Sequence, residues 1–293
     1  MRKLLMLLAA TAALTASAAQ AKPLEYKVIP TSPLSMVANM TLITGEKEAV
    51  LVDVPFARSD AMRVAAEILD SGKTLKAIII THDHPDHFFG LDVLQDAFPD
   101  AKIIANPVAA RDMARSIPIK FKRWSGQLGV NAPRRPVGPV AMTGDSFDLE
   151  GHNLQVLGPM QGDHVNSTVV WDAETRTLIA GDILYNGVYV WLGEHTGPRY
   201  AAWLAVLDKL EAMNPVRIVA GHRQPGLPDD NMSIAWTRAY INAFVAARAK
   251  AKSAKELAAL MTERYPNATE VYGGFLLGIS SQVGAGEIPP WEE

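Results

Sequence analysis

Short apolar runs rich in valine and isoleucine recur along the chain, separated by longer segments with helical periodicity. Several of these runs are apolar without interruption, which is typical of strands that are covered on both faces. Because strands and helices alternate, the pattern predicts the α/β class. The predicted strands are residues 26–30, 38–44, 48–54, 76–81, 101–106, 153–158, 167–172, 177–181 and 216–221.

The first predicted helix starts at Ser59, whose hydroxyl can cap the first turn, and stops at Gly72. Its apolar residues at helical spacing predict a buried face. That face consists of Met62, Ala65, Ile68 and Leu69. Four further helices are predicted over residues 87–98, 199–213, 232–251 and 253–265.

Residues 121–140 interrupt this alternation with three prolines and three glycines. They predict a long surface loop, and such loops often shape binding sites. A solvated connection without a functional role remains the alternative.

The first 21 residues have the order of a secretory signal peptide. Arg2 and Lys3 precede a short apolar run, which ends in small residues up to Ala21. We expect cleavage after Ala21, a mature domain over residues 22–293 and a periplasmic or secreted protein. A membrane anchor is disfavoured because the apolar run is short, so no stable membrane insertion is expected after cleavage.

Composition narrows the chemistry. The formal net charge is −3 and no basic run is present, so nucleic acid is not an expected partner. The expected partner is a small-molecule substrate. The chain contains no cysteine. A thiolate ligand and a cysteine nucleophile are therefore excluded, and any metal has to be held by histidine and carboxylate.

Three of the seven histidines fall within the sequence THDHPDHFFG at residues 81–90. Strand alternation puts His82 and His84 on the same side, where both rings can reach one point. Pro85 keeps His84 out of the helical region and allows a helix only from Pro85 onwards. Asp86 and His87 then lie on the first helical turn, displaced from the first pair. The segment therefore predicts two adjacent metal positions.

Three more ligand-type residues lie where apolar strands end. His164 precedes a predicted strand, whereas Asp182 and His222 each follow one. In open α/β sheets, sites gather at strand ends. Each residue alone could be an ordinary polar or turn residue. The crowded ligands of residues 82–87 would repel one another without a cation, so the whole set predicts a metal site.

The set resembles the metallo-β-lactamase-fold superfamily of metal-dependent hydrolases. The similarity rests on His82-x-His84-x-Asp86-His87, followed in order by His164, Asp182 and His222. It implies a four-layer αββα sandwich, an α/β (α+β) fold with two sheets flanked by helices. It also implies that the metals lie at one edge of this sandwich.

The resemblance also implies roles. His82, His84 and His164 would hold the first metal, whereas Asp86, His87 and His222 would hold the second. Asp182 would bridge the two metals, and Asp53 would orient a ligand imidazole. Two zinc ions are the expected cofactors, although iron or manganese also suit histidine and carboxylate ligands.

The expected reaction is hydrolysis of an ester, lactone or amide-like bond by a metal-bound hydroxide, with Asp86 as the catalytic residue that orients it and takes up a proton. A β-lactamase-type activity is one alternative, disfavoured because zinc β-lactamases typically carry Cys or Ser where this chain has Asp182. Iron-dependent oxidation of sulfur compounds is another, disfavoured because such enzymes tend to have a carboxylate where this chain has His84. A non-catalytic binding protein is the third alternative.

Aromatic residues near the predicted site are candidates for the wall of a substrate cleft. These candidates are Trp124, Tyr185, Trp191 and His195. Ordinary packing is the alternative for each of them. The sequence assigns no role to His152 and does not determine the oligomeric state.

Overall fold

The computed structural model describes residues 22–291, so the predicted signal peptide lies outside the described residues. Strands and helices alternate as predicted. The strands are β1 Glu25–Pro30, β2 Asn39–Thr44, β3 Glu48–Val52, β4 Thr74–Ile80, β5 Lys102–Ala105, β6 Val140–Ala141, β7 Ser146–Leu149, β8 His152–Met160, β9 Ser167–Asp172, β10 Thr177–Ile179, β11 Tyr185–Asn186, β12 Arg217–Val219 and β13 His222–Arg223. The helices are α1 Arg58–Asp70, α2 Leu91–Ala97, α3 Pro107–Leu128, α4 Gly197–Ala212, α5 Met232–Arg248, α6 Ala254–Arg264 and α7 Phe275–Ala285.

Two sheets form the centre of the fold. The first has the strand order β1-β2-β3-β4-β5-β6, with antiparallel pairing up to β3 and parallel pairing from β3 to β6. The second has the order β12-β10-β9-β8-β7, and β11 pairs separately with β13. The parallel strands of the first sheet place their carboxyl ends at one shared edge.

Alternating side chains bury both faces of each sheet. In β3, Val50 and Val52 belong to an apolar cluster shared by the two sheets, whereas Ala49 and Leu51 belong to the larger cluster under the helices. Burying one such valine or leucine contributes about 1.5–3 kcal/mol. Helices, two sheets and helices therefore form four layers, which confirms the predicted αββα sandwich.

Helix α1 confirms the predicted element but not its details. It starts at Arg58, one residue before the predicted Ser59 cap, and Ala57 holds the cap position without a side-chain hydrogen bond. The buried face includes Ala61 and Val64, whereas Met62 is 52% exposed and Leu69 is 66% exposed. The predicted face is therefore confirmed at Ala65 and Ile68 and wrong at Met62 and Leu69.

The predicted loop over residues 121–140 is wrong in its first part, because α3 extends to Leu128. Asn106 caps this helix by accepting a hydrogen bond from the Val108 amide at 2.9 Å. Trp124 and Leu128 are buried on its inner face. Their burial stabilises the helix despite Pro118 in its interior, which removes one backbone hydrogen bond.

The predicted helix over residues 87–98 begins later than expected. Pro85 opens a short 3₁₀ turn, Pro85–His87, and α2 starts only at Leu91. Asp86 and His87 thus lie in the 3₁₀ turn rather than in the first turn of an α-helix. Within residues 22–291, no helix has both the length and the apolar character that a bilayer span requires.

Candidate metal centre

Strand ends bring the predicted ligands to one edge of the sandwich. β4 ends at Ile80 and leads directly into residues 82–87, and β3 ends beside it just before Asp53. In the second sheet, Asp182 follows β10, and His222 follows its parallel neighbour β12. The two sheets therefore supply the centre from opposite sides.

The first group of ligand-type atoms combines His82 and His84 with two aspartates. Its members are His82, His84, Asp163 and Asp182, all buried, with ligand atoms within 4.8 Å of one another. His84 Nδ1 lies 3.0 Å from Asp163 Oδ2, and His82 Nε2 lies 3.6 Å from Asp182 Oδ2. The two histidines predicted to share one position do lie together.

The second group also contains Asp182, with His87 Nε2 near its Oδ1 and His222 Nε2 3.0 Å from its Oδ2. Its members are Asp86, His87, Asp182 and His222. His87 Nε2 lies 3.1 Å from Asp182 Oδ1, and His222 Nε2 lies 3.2 Å from Asp86 Oδ2. Because Asp182 belongs to both groups, its carboxylate lies between them, where a bridging ligand has to be.

Hydrogen bonds behind the second group fix its imidazoles. His87 Nδ1 donates to Asp53 Oδ2 at 2.8 Å, and His222 Nδ1 donates to the Met36 carbonyl at 2.8 Å. The Asp53 carboxylate also accepts from the amide and hydroxyl of Thr81. Each ring therefore turns its Nε2 towards Asp182, the arrangement in which outer carboxylates and carbonyls orient metal ligands.

His164 lies outside both groups that contain Asp182. Its Nδ1 donates to Glu194 Oε2 at 3.2 Å, and the ring is partly exposed. The other oxygen of Glu194 accepts from His84 Nε2 at 2.7 Å. Sequence reasoning missed both Asp163 and Glu194. Asp163 could have been noticed as the carboxylate directly beside His164, whereas Glu194 lies 110 residues from His84 and carries no local signal.

Two glycines allow the Asp182 turn to approach its neighbours. A Cβ on Gly221 would lie 1.9 Å from Asp182 Oδ1 and 2.6 Å from the Gly181 backbone. Gly181 itself adopts a positive φ of 49°, and a Cβ there would meet the Thr81 hydroxyl at 2.7 Å. The carboxylate can occupy its central place only because these positions lack side chains.

Burial and neighbouring charges shift the protonation of these groups. Burial lowers the pKa of His82 to about 3. Burial also opposes protonation of His222, but the carboxylate of Asp182 outweighs it and raises the pKa of His222 to about 10. Burial raises the pKa of Asp163 to about 7. Protons therefore neutralise part of the buried charge, and a cation that binds here has to displace them.

The residues fit a pair of divalent cations. Among residues 22–291, His82 Nε2, Asp163 Oδ1 and Asp182 Oδ1 are buried polar atoms at this centre without a hydrogen-bond partner. Such atoms are costly to bury unless something satisfies them. Imidazole and carboxylate ligands suit zinc, iron and manganese, so the donor chemistry agrees with a metal centre.

A cavity of about 390 Å³ opens over the two groups. One side of it is aromatic, with Trp191 stacked on Phe275 at 5.2 Å between ring centroids and Trp124 edge-on to the same ring at 5.5 Å. Neither lysine nor arginine borders this cavity among the described residues. Asp86 and His222 form part of its polar floor.

The predicted cleft residues divide into two kinds. Trp124, Tyr185 and Trp191 border the cavity. His195 does not: it is 1% exposed and its Nε2 donates to the Gly162 carbonyl at 2.9 Å. This hydrogen bond holds the imidazole in the interior, and His195 is not among the residues that border the cavity.

Known proteins share sequence and fold with this chain. The profile of the metallo-beta-lactamase superfamily matches residues 36–222. The uncharacterized protein YobT of Bacillus subtilis (strain 168) is 27% identical over 205 residues, covering 64% of this chain and 80% of YobT.

Solved structures extend the similarity of the fold. The metallo-beta-lactamase family protein TTHA1429 from Thermus thermophilus has a TM-score of 0.62 at 20% identity, with 89% of this chain and 91% of that chain covered. The BLEG-1 B3 metallo-beta-lactamase has a TM-score of 0.52 at 21% identity, with 68% and 91% covered.

Proposed function

The chain belongs to the metallo-beta-lactamase superfamily, as its resemblance predicted, and we propose that it is an exported hydrolase with two metal ions. It opens an ester, lactone or amide-like bond of a small molecule. The observation that carries the proposal is the pair of buried ligand groups that share Asp182 beneath an open cavity.

Zinc, when bound, polarises a carbonyl oxygen and lowers the pKa of water from about 15.7 to about 7. The chain supplies ligands and a proton acceptor. His82 and His84 would hold one ion and His87 and His222 the other, with the Asp182 carboxylate available to both. Iron or manganese can take the same positions.

Asp86 is the proposed proton acceptor. Burial works against its ionisation, but His87 and His222 outweigh burial and hold the pKa of Asp86 at about 2. The carboxylate is therefore ionised at neutral pH, and it borders the cavity in which a substrate would lie.

The aromatic side of the cavity favours a substrate with an apolar group beside the scissile bond. Trp124, Trp191 and Phe275 offer large apolar surfaces and few hydrogen-bonding groups. A neighbouring cavity contains Lys120 and Arg199, but Lys120 lies 2.8 Å from Asp83 and Arg199 donates to the Glu194 carbonyl. A neutral ester or lactone with an apolar acyl chain fits this wall.

A β-lactamase-type activity is the second candidate, favoured by structural neighbours whose names describe metallo-beta-lactamases. The aspartate at position 182 supports lactone or ester hydrolysis instead. Hydrolysis of nitrocefin without turnover of neutral lactones and esters would reverse the order of the two candidates.

Metal analysis of the purified mature protein, combined with a panel of lactones, esters, thioesters and β-lactams, tests the proposal. We expect about two metal ions per chain and chelator-sensitive turnover of a lactone or ester. Asp208→Asn is a suitable control variant, since its side chain is 68% exposed on the surface. A metal-loaded protein without turnover of the panel would contradict the hydrolase proposal and would leave the oxidoreductase and binding-protein alternatives.

The signal-like residues 1–21 support export to the periplasm or medium. Cell fractionation and N-terminal sequencing of the protein from its native host test this part. We expect a mature chain that starts at Lys22. An intact N-terminus in the cytosolic fraction would contradict export.

A further inference from the structure

We propose that Asp163, and not the adjacent His164, is the remaining protein ligand of the metal position formed by His82, His84 and Asp182. Glu194 and His164 act behind it as positioning residues for His84. This inference rests on the proposed function to the extent that both require metal binding. It concerns which residues of this chain hold the metal, and measurements of metal binding test it without any substrate.

The Asp163 carboxylate is aimed into the first group. It is 1% exposed, and its Oδ2 lies 3.0 Å from His84 Nδ1. Its Oδ1 lies 3.9 Å from His82 Nε2, and neither of these two buried atoms has a hydrogen-bond partner among residues 22–291. A cation between these side chains would satisfy both atoms at once.

Further contacts hold Asp163 in this place. The Tyr185 hydroxyl donates to Asp163 Oδ2 at 2.8 Å. The backbone amide of Asp163 donates to the Asp182 carbonyl at 3.2 Å, which ties the two aspartates together through the main chain. The carboxylate is thus positioned before a metal binds, as expected of a ligand rather than of a chance neighbour.

His164 makes different contacts from its neighbour Asp163. The Gly162 amide and the Ser167 hydroxyl both donate to the His164 carbonyl at 3.0 Å, so the backbone is fixed on both sides of the ring. The ring itself donates to Glu194. The ring lies beside His84, with 5.5 Å between the ring centroids, but it belongs to neither ligand group that contains Asp182.

Glu194 links His164 to the centre through His84. It accepts from His84 Nε2 at 2.7 Å, which places the ring proton on that nitrogen and leaves the Nδ1 lone pair facing Asp163. A carboxylate and a lone pair at 3.0 Å need a proton or a cation between them. An outer carboxylate that fixes a histidine tautomer in this way is a common device at metal sites.

A carboxylate from Asp163 in place of an imidazole from His164 changes the ligand chemistry of this metal position. Two imidazoles and two carboxylates replace a set with three imidazoles, so the donors are harder. Harder donors shift preference towards manganese and iron relative to zinc. The added negative charge also balances more of the charge of two divalent ions. We therefore expect this chain to retain manganese or iron in competition with zinc better than an Asp163→His variant does.

The test compares Asp163→Asn with His164→Ala in the mature protein. Each protein is stripped with a chelator, reloaded with Co²⁺ and analysed for bound metal and visible absorption, with Asp208→Asn as the control. We expect Asp163→Asn to keep about one ion per chain and to change the cobalt spectrum. His164→Ala should keep two ions and lose less than about tenfold in affinity, because it acts only through Glu194.

Asp163→His is a second variant that tests the same position if Asp163→Asn does not fold. A histidine is itself a ligand, so this variant should recover the second ion while altering the cobalt spectrum. The proposal is wrong if His164→Ala loses an ion, whether or not Asp163→Asn does, and also if both variants keep two ions. Wild-type protein with two ions but no turnover would overturn the proposed function alone. Turnover with the reversed pattern of variants would overturn this inference alone.

Discussion

Residues 82–87 and residues 162–166 both carry ligand-type side chains to the same edge of the sandwich, but their backbones present these side chains in different ways. The first segment follows β4 directly and bends at His82 and Asp83 before the 3₁₀ turn at Pro85, and it brings His82 and His84 into one ligand group. The second is a turn between β8 and β9, and its neighbours take different partners: Asp163 lies against His84 Nδ1, whereas His164 contacts Glu194.

The difference shows how far a local rule extends. Alternation along a strand determines which residues face together, because the side-chain period is two. A turn has no fixed period, and hydrogen bonds from distant residues decide its orientation. In the 162–166 turn these come from Ser167, Asp182 and Tyr185. Two residues that are equivalent as ligand types therefore take different positions.

Asp182→Asn should have the largest effect, because this carboxylate joins both ligand groups. We expect loss of most bound metal and a decrease in kcat/KM of about three orders of magnitude, since metal catalysis contributes several kcal/mol. Metal analysis and kinetics on the best substrate of the panel check this. The Asp208→Asn control should stay at the wild-type level in both measurements.

If Asp182→Asn kept two ions and full activity, the two ligand groups would not depend on a shared Asp182 carboxylate. Loss of one ion alone would assign Asp182 to a single group and leave the groups independent.

Glu194→Gln tests the contact between residues 82–87 and residues 162–166 at His84. The amide keeps the size of the side chain but replaces one charged acceptor, so the orientation of His84 is weakened. Removal of such outer partners typically costs about 10–100-fold in metal affinity. Competition titration with a chromophoric chelator measures this, and we expect one of the two ions to be affected. An equal loss at both ions would contradict a role confined to His84.

Sequence patterns were sufficient for the features governed by local periodicity. The alternation of β3 and β4, the break at Pro85 and the grouping of His82 with His84 follow from adjacent residues. The bridging role of Asp182 is implied by the family resemblance rather than by local periodicity, and the structure places Asp182 in both ligand groups.

Features that depend on packing were missed. The register of α1 was displaced because Met62 and Ala61 are both plausible core residues, and only the neighbouring layer decides between them. The proline and glycine content of residues 121–140 predicts a loop, but burial of Trp124 and Leu128 against the core stabilises α3 as far as Leu128. The contact of Glu194 with His84 joins residues 110 positions apart, so it depends on the complete fold.

Gly221→Ala tests whether the metal centre depends on the close approach of the Gly221 backbone to Asp182 in the second sheet. Its Cβ would overlap Asp182 Oδ1 and the Gly181 backbone. We expect a loss of about 1–3 kcal/mol in the free energy of unfolding, as for other overpacked positions, together with lower metal content. Denaturant unfolding and metal analysis measure the two effects.

Gly126→Ala is the matched control for this substitution. Gly126 lies in α3, and a methyl group added to it would have no neighbouring atom within 4 Å outside the helix backbone. Alanine there should stabilise the protein by about 0.4–1 kcal/mol and leave metal binding unchanged. Equal stability changes for the two variants would show that the turn around Asp182 has room to adapt.

His152→Gln should have the smallest effect, because His152 lies at the end of β8 remote from the 162–166 turn. Its Nδ1 donates to Glu174 at 2.7 Å and its Nε2 to the Lys22 carbonyl at 2.9 Å. Burial opposes protonation, but these acceptors outweigh it and raise the pKa of His152. A raised pKa in the folded state stabilises the protein below the unfolded value of about 6.5, and this contribution fades as the pH rises through the folded value.

The variant should therefore lose stability at pH 5.5 and little at pH 9. The loss should be about 0.5 kcal/mol, since the Glu174 side chain is 55% exposed and solvent screens the pair. Thermal unfolding at the two pH values measures it, and metal content should not change. If metal content did fall, β8 would transmit strain from its far end to Asp163, and the orientation of the turn would depend on the whole strand rather than on the contacts around it.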